Sequence, residues 1–161
     1  MHGRVAIYAG TFDPVTLGHI DVVKRACQIF DSVVVAVATK PGKKPLFPLE
    51  ERVELAKECL KGIPNASVEG FHGLLVDFAK VKNARVVLRG LRELSDFETE
   101  FQQAIVNRKL SPSVETVFIV TDPKYFYVNS TAVKEIASLG GAIDCMVSKP
   151  VEKALRKRFG K

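Results

Sequence analysis

The sequence predicts an α/β fold: one domain on a five-stranded parallel sheet with helices on both faces. Two observations carry this. Short apolar, β-branched runs alternate five times with stretches of helical periodicity, the pattern of successive strand–helix–strand units. The chain has 161 residues, 47% of them hydrophobic and 26% charged, which suits one globular domain and leaves no room for two domains and a linker.

Val5–Ala9 is the first strand, an apolar run of five. Gly18–Phe30 follows as a helix with Ile20, Val23, Cys27 and Phe30 on one face. Val33–Ala38 is continuously apolar, as a parallel strand buried on both faces must be. Leu49–Leu60 is the second helix, Ser67–Phe71 a weaker strand, Leu74–Val81 a helix and Arg85–Leu88 the fourth strand. Phe97–Leu110 is a long amphipathic helix; Ser95 as N-cap and Glu98 three residues on predict a capping box. Thr116–Val120 is the fifth strand, Thr131–Leu139 a helix stopped by Gly140–Gly141, and Pro150–Phe159 a terminal helix with proline near its start. The commonest order for such strands is 3-2-1-4-5, a Rossmann-like sheet. Its switch point lies between strands one and four, and ligands bind there, outside the carboxyl ends.

The charge balance excludes other classes. Lys and Arg exceed Asp and Glu by 24 to 18, but residues 149–161 alone carry +5, leaving +1 for the rest. A solvated helix face explains that tail, and no stripe of aromatics interleaved with basic residues would stack bases, so no nucleic-acid partner is expected. No run reaches membrane-spanning length and no signal-peptide core is present, so no membrane partner is expected. Cys27, Cys59 and Cys145 form no C-x-x-C and read as small buried thiols, which points to a reducing cytoplasm. His2, His19 and His72 show no metal-site spacing, and no metal ligand is predicted.

The loops at the carboxyl ends carry the chemistry. After strand one, Gly10–His19 holds two glycines around Asp13-Pro14, and Gly18 lets a backbone come close to a ligand at a helix start, where free N–H groups and the helix dipole favour an anion. Thr11 and His19 would face that anion, or His19 is a satisfied structural histidine. There is neither a G-x-G-x-x-G dinucleotide fingerprint nor a P-loop. After strand two, Lys43-Lys44 sits between prolines and glycine, either a phosphate grip or a solvated pair. After strand four, Arg89 and Arg92 need an anion or a carboxylate, and Glu93, Asp96, Glu98 and Glu100 offer the internal alternative. After strand five, Tyr125–Thr131 brings hydroxyls and the Asn129 amide to another helix start, as a phosphate cradle or a plain N-cap. Each loop alone is ambiguous; anion-binding chemistry at four strand ends together is not something a core requires.

Thr16-Leu17-Gly18-His19 resembles the [H/T]-x-G-H signature of the nucleotidyltransferase superfamily. With Lys43-Lys44-Pro45 and Leu49-Glu50-Glu51-Arg52, Arg89-Gly90-Leu91-Arg92 and Asp96-Phe97-Glu98, and Ser130–Glu135, it resembles the bacterial phosphopantetheine adenylyltransferase family from end to end. The resemblance implies transfer of the adenylyl group of ATP to 4′-phosphopantetheine, with Mg2+, giving dephospho-coenzyme A and pyrophosphate in a cytoplasmic homohexamer. It implies Thr11 and His19 at the α-phosphate and Lys43 on the pantetheine phosphate. It implies Leu74, Leu75, Arg89 and Asn107 along the pantetheine arm. Phe12, Gly90, Leu91, Arg92, Glu100, Tyr125, Phe126, Tyr127, Val128, Asn129, Ser130 and Thr131 would contact ATP. Four positions depart from the family pattern: Ala9 for a proline, Pro48 for a threonine cap, Thr99 for an aromatic and Asn129 for a serine.

The residues fit this chemistry on their own terms. A phosphate monoester dianion is already a nucleophile, and no nucleophile–base triad is present or needed. Alignment can supply roughly 7–11 kcal/mol, and each donor aimed at the growing charge about 3–4 kcal/mol; His19, Lys43, Arg92 and Mg2+ are groups of the right kind. The competing expectation is another small-molecule nucleotidyltransferase, of the nicotinamide mononucleotide or cytidylyl type. The apolar Gly73-Leu74-Leu75-Val76 stretch suits a pantetheine arm better than a second nucleotide.

Overall fold

A computed structural model describes residues 4–39, 42, 44–92 and 94–161, with the backbone alone at 94–96. Its strands are β1 (Val5–Gly10), β2 (Ser32–Ala38), β3 (Ala66–Phe71), β4 (Val86–Leu91) and β5 (Glu115–Val120). Its helices are α1 (Leu17–Ala26), α2 (Leu49–Leu60), α3 (Leu75–Val81), α4 (Leu94–Leu110), α5 (Ser130–Ser138) and α6 (Lys149–Phe159). The strands are parallel in the order β3-β2-β1-β4-β5, as the sequence predicts.

Alternation along the strands divides the core in two. Ala6, Tyr8, Val33, Val35, Val37 and Leu88 face a layer formed by α1, α2, α5 and α6. Ile7, Ala9, Val34, Ala36 and Val87 face the other side, under α3. The five consecutive residues Val33–Val37 are buried, which is why β2 shows no polar face in the sequence; each of the four valines stabilises the fold by about 1.5–3 kcal/mol relative to exposure. Val151 and Leu155 of α6 are fully buried while Lys149, Lys153, Lys157 and Arg158 are exposed, so the basic tail is the solvated face of a helix whose other face closes the core.

Most element ends fall within one residue of the sequence reading, and three boundaries differ by three or four residues. The first helix stops at Ala26 rather than Phe30, because the Asn65 side-chain amide donates to the carbonyls of Cys27 (2.9 Å) and Phe30 (3.2 Å) and ends it from a distant loop. The fourth strand runs on to Leu91, since Arg89, Gly90 and Leu91 keep pairing with Phe118, Ile119 and Val120. The fourth helix starts at Leu94, which puts Ser95 inside its first turn instead of at the N-cap. Of the three cysteines, Cys27 and Cys59 are half-buried and Cys145 is exposed, so the expectation of three buried thiols fails at Cys145.

Candidate active site

The site begins where β1 runs into α1. Thr16 caps the helix, and His19 occupies the capping-box position that Glu or Gln usually fills. The His19 Nδ1 accepts the Thr16 backbone N–H at 3.0 Å, with the Thr16 hydroxyl 3.1 Å away. A nitrogen that accepts an N–H carries no proton, so this geometry assigns the hydrogen to Nε2. Burial, and then the positive charge of Arg92, push the imidazole down to about 4. Near neutral pH His19 is therefore an uncharged ring with one fixed acceptor and one N–H donor. Part of its surface stays open to a small cavity.

That cavity, about 60 Å³, lies at the switch point between β1 and β4, lined by Tyr8, Thr16, Gly18, His19, Gly90, Arg92, Thr121 and Val128. A larger hollow of about 960 Å³ opens at the opposite, amino ends of the strands, and none of the predicted site residues lines it. A Cβ on Gly18, which lines the cavity, would stand 3.6 Å from the Tyr125 Cβ and 3.7 Å from the Thr121 Cγ2, in ordinary contact. The Leu17 N–H is taken by the Met146 carbonyl at 2.9 Å, whereas the Gly18 N–H has no partner among the described residues. One open donor at a helix start beside a neutral imidazole is an anion site without a fixed counter-charge.

Cationic groups stand around it. Arg92 donates to the Val128 carbonyl at 3.2 Å, which ties the loop after β4 to the loop before α5. Arg89 lies in β4 and makes a two-point ion pair with Glu100, its Nη2 2.7 Å from Oε1, while its Nη1 donates to the Ala9 carbonyl at 2.9 Å. The internal-carboxylate alternative is thus realised at Arg89, and both it and Glu100 are engaged with each other. Asn129 is the N-cap of α5, its side chain accepting the Ala132 N–H at 2.8 Å, and the Ser130 hydroxyl donates to the Pro14 carbonyl at 2.8 Å. Two of the polar groups expected at the phosphates are thereby committed, Asn129 to capping α5 and Ser130 to holding α5 against the β1–α1 loop.

Phe12 is 3% exposed, and its ring meets those of His19 and Tyr8 edge-on, at 5.0 and 5.3 Å. Its φ of 44° costs a non-glycine residue about 1–3 kcal/mol. The strained turn puts an aromatic floor under the imidazole. Thr11 is exposed beside it. Leu91 ends β4, Tyr125 is half-buried, and Phe126, Tyr127 and Thr131 are exposed along the far loop. Leu74 is exposed, Leu75 half-buried, and Asn107 on α4 is buried with its side-chain oxygen 3.4 Å from the Gln103 amide. Lys43 lies outside the described residues.

Tyr8, Thr16 and Thr121 line the cavity but were not among the predicted site residues. Burial raises the Tyr8 phenol above its ordinary range, outweighing the opposing pull of Arg89 and Arg92, so it is a neutral hydroxyl there. Its signal in the sequence was a single polar aromatic in an otherwise aliphatic strand.

A family model described as cytidylyltransferase-like matches residues 7–136. A phosphopantetheine adenylyltransferase of Caldanaerobacter subterraneus subsp. tengcongensis is 54% identical over 158 residues, covering 98% of this chain and 99% of the relative. The chain belongs to the phosphopantetheine adenylyltransferase family. A family member from Thioalkalivibrio sulfidiphilus is 53% identical over 97% of the chain and 98% of its own length. Among solved structures, one described as a nicotinate-nucleotide adenylyltransferase of Vibrio parahaemolyticus superposes with a TM-score of 0.68 over 96% of this chain and 91% of its own. At 17% identity that likeness establishes the nucleotidyltransferase fold alone.

Proposed function

We propose that the protein transfers the adenylyl group of ATP to 4′-phosphopantetheine, releasing pyrophosphate and forming dephospho-coenzyme A. The observation that carries this is family membership at more than half identity over nearly the whole chain. The site agrees with it. The substrate phosphate attacks the α-phosphorus directly, without a covalent enzyme intermediate. The His19 Nε2–H and the open Gly18 N–H meet the charge that grows on the α-phosphate, and Thr11 stands beside them. Arg92 and Lys43, on separate loops, serve the two phosphate groups, Arg92 on ATP and Lys43 on phosphopantetheine. Leu74, Leu75, Arg89 and Asn107 take the pantetheine arm. Phe12, Gly90, Leu91, Glu100 and Tyr125–Thr131 frame the nucleotide, with Arg89 and Glu100 acting as a pair.

Mg2+ neutralises phosphate charge when bound with ATP. No three His, Cys, Asp or Glu side chains gather to hold a metal among the described residues, so the ion would be carried by the triphosphate and water. Assembly as a homohexamer is supported by α4, on which Phe97, Phe101, Ile105 and Leu110 are each 40–54% exposed. Three free thiols support a reducing, cytoplasmic setting. The deciding experiment is coupled pyrophosphate release with ATP, presented with phosphopantetheine or with nicotinamide mononucleotide, and a parallel run with CTP. Turnover only with ATP and phosphopantetheine supports the proposal; turnover only with another pair replaces it.

A further inference from the structure

Arg52 stands outside the cavity, and neither the chemistry above nor the family resemblance gives it a role. It is 2% exposed, on the first turns of α2, and among the described residues no carboxylate forms an ion pair with it. Its guanidinium instead donates to three backbone carbonyls from three segments: Phe47 before α2 (3.0 Å, from Nε), Thr11 in the β1–α1 loop (2.6 Å, from Nη1) and Ala38 at the end of β2 (2.9 Å, from Nη1). Burying a cation against neutral acceptors is costly, and helix α2 needs no such cation for its own hydrogen bonds.

A buried anion completes the arrangement. The Asp13 carboxylate accepts the backbone N–H groups of Leu46 (2.9 Å) and Phe47 (3.0 Å) and the ammonium of Lys134 (2.8 Å). Burial alone would raise this carboxyl; the Lys134 hydrogen bond, the two N–H groups and the Lys134 charge hold it below the usual range, so it stays ionised. Asp13 thus grips segment 46–47 by its donors and Arg52 grips Phe47 by its carbonyl. The same two side chains hold the Thr11–Asp13 turn. The Phe47 ring is fully buried, with the Arg158 guanidinium 5.1 Å from its centroid, which leaves that segment little freedom to shift.

We infer that Arg52, with Asp13 as its counterpart, is a positioning clamp for the reaction: it fixes the chain that follows Lys43 to the turn that carries Thr11, and so sets the two substrate loops relative to each other. Lys43 and Thr11 enter this inference through the proposed function, on which it rests. The clamp acts by alignment. Misplacing reacting groups by about 1 Å can cost 10²-fold in rate, whereas ATP is held from the Arg92 side, which Arg52 does not touch.

The test is Arg52→Lys, which keeps the charge but cannot span three carbonyls, with Arg52→Met as the apolar companion. Amide exchange at Leu46 and Phe47 is followed in the full-length protein, alongside kcat, both KM values and equilibrium ATP binding. Faster exchange at these two amides, by about tenfold or more, is expected. With it, kcat should fall about 10- to 100-fold, KM for phosphopantetheine should rise, and ATP affinity should stay within about threefold. Unchanged exchange in a folded Arg52→Lys protein overturns the clamp whatever the activity. Faster exchange with normal kcat and KM leaves Arg52 a purely structural residue and also overturns it. If Arg52→Met does not fold, the lysine variant still decides. Wild-type protein without phosphopantetheine-dependent turnover would defeat the proposed function, and this is read separately from the exchange measurement.

Discussion

Replacing His19 by alanine removes the helix cap seen in the structure and tests the proposed donor role at once, and the two can be separated. The structural part is the capping box, in which Nδ1 takes the Thr16 N–H at 3.0 Å. Losing a cap costs about 0.5–2 kcal/mol, and the lost packing on Phe12 adds to it. The chemical part is the Nε2–H; if it serves as the proposed transition-state donor, its removal should lower kcat about 10²–10³-fold, or roughly 2.7–4 kcal/mol, with little change in ATP binding. His19→Glu separates the two: a carboxylate is the usual acceptor at that capping-box position, but it has no N–H to give. Denaturant melts should show His19→Glu recovering most of the stability that His19→Ala loses, while kcat stays depressed in both. The sign of the pH dependence follows from a native imidazole at about 4 against an ordinary 6.5. Below pH 6.5 the unfolded chain takes the proton first, so the native state loses up to about 3 kcal/mol by pH 4. The stability gap between wild type and His19→Ala should therefore narrow as pH falls through that window. An imidazole resonance that titrates near 6.5 by NMR, or a His19→Ala enzyme with near-normal kcat, would refute the reasoning.

Gly18→Ala adds a methyl that meets nothing closer than 3.6 Å; the helix gains up to about 1 kcal/mol, yet the added bulk is on a residue that lines the cavity, so Tm should hold or rise while KM for ATP increases. A stable variant with unchanged ATP kinetics would show that the nucleotide lies elsewhere. Arg92→Ala should raise KM chiefly for ATP and Lys43→Ala chiefly for phosphopantetheine, and steady-state kinetics with the opposite pattern would reverse the two assignments. Phe101 and Ile105 lie exposed on α4, and light scattering should give a mass near six times the 17.7 kDa chain, lowered by Phe101→Asp; a stable monomer at micromolar concentration would exclude the hexamer.

The fold was legible because its signals are local. Five apolar runs, punctuated by glycine and proline, specify parallel strands whatever lies far away, and Val33–Ala38 could hardly be anything but a central strand. The boundaries that moved were set from a distance. Asn65, 35 or more residues away in sequence, ends α1, and β5 draws Arg89–Leu91 into the ladder. The site divides in the same way. His19 and Gly18 were legible because a helix start is a local device. Arg89 and Asn129 stand out in the sequence as polar groups in a place that must satisfy them, but sequence does not choose between a ligand and an internal partner. The structure supplies Glu100 for Arg89 and the Ala132 N–H for Asn129.

Arg52 shows why such residues escape a sequence reading. In Leu49–Leu60 it is one of several charged side chains on a short helix, and charge on a helix is ordinarily a mark of the solvent face. Nothing within four residues distinguishes it from Glu54 or Lys57. What sets it apart is that the fold brings the carbonyls of Thr11, Ala38 and Phe47, from three separate segments, to one buried point where its guanidinium donates to all of them. A buried carbonyl left unpaired costs about 1–3 kcal/mol, and a guanidinium offers several donors in one fixed plane. Here the carbonyls of Thr11 and Phe47 lie in loops, outside any strand ladder or helix. The residues that satisfy them must therefore reach in from elsewhere, and they become visible only once the fold has brought those carbonyls together.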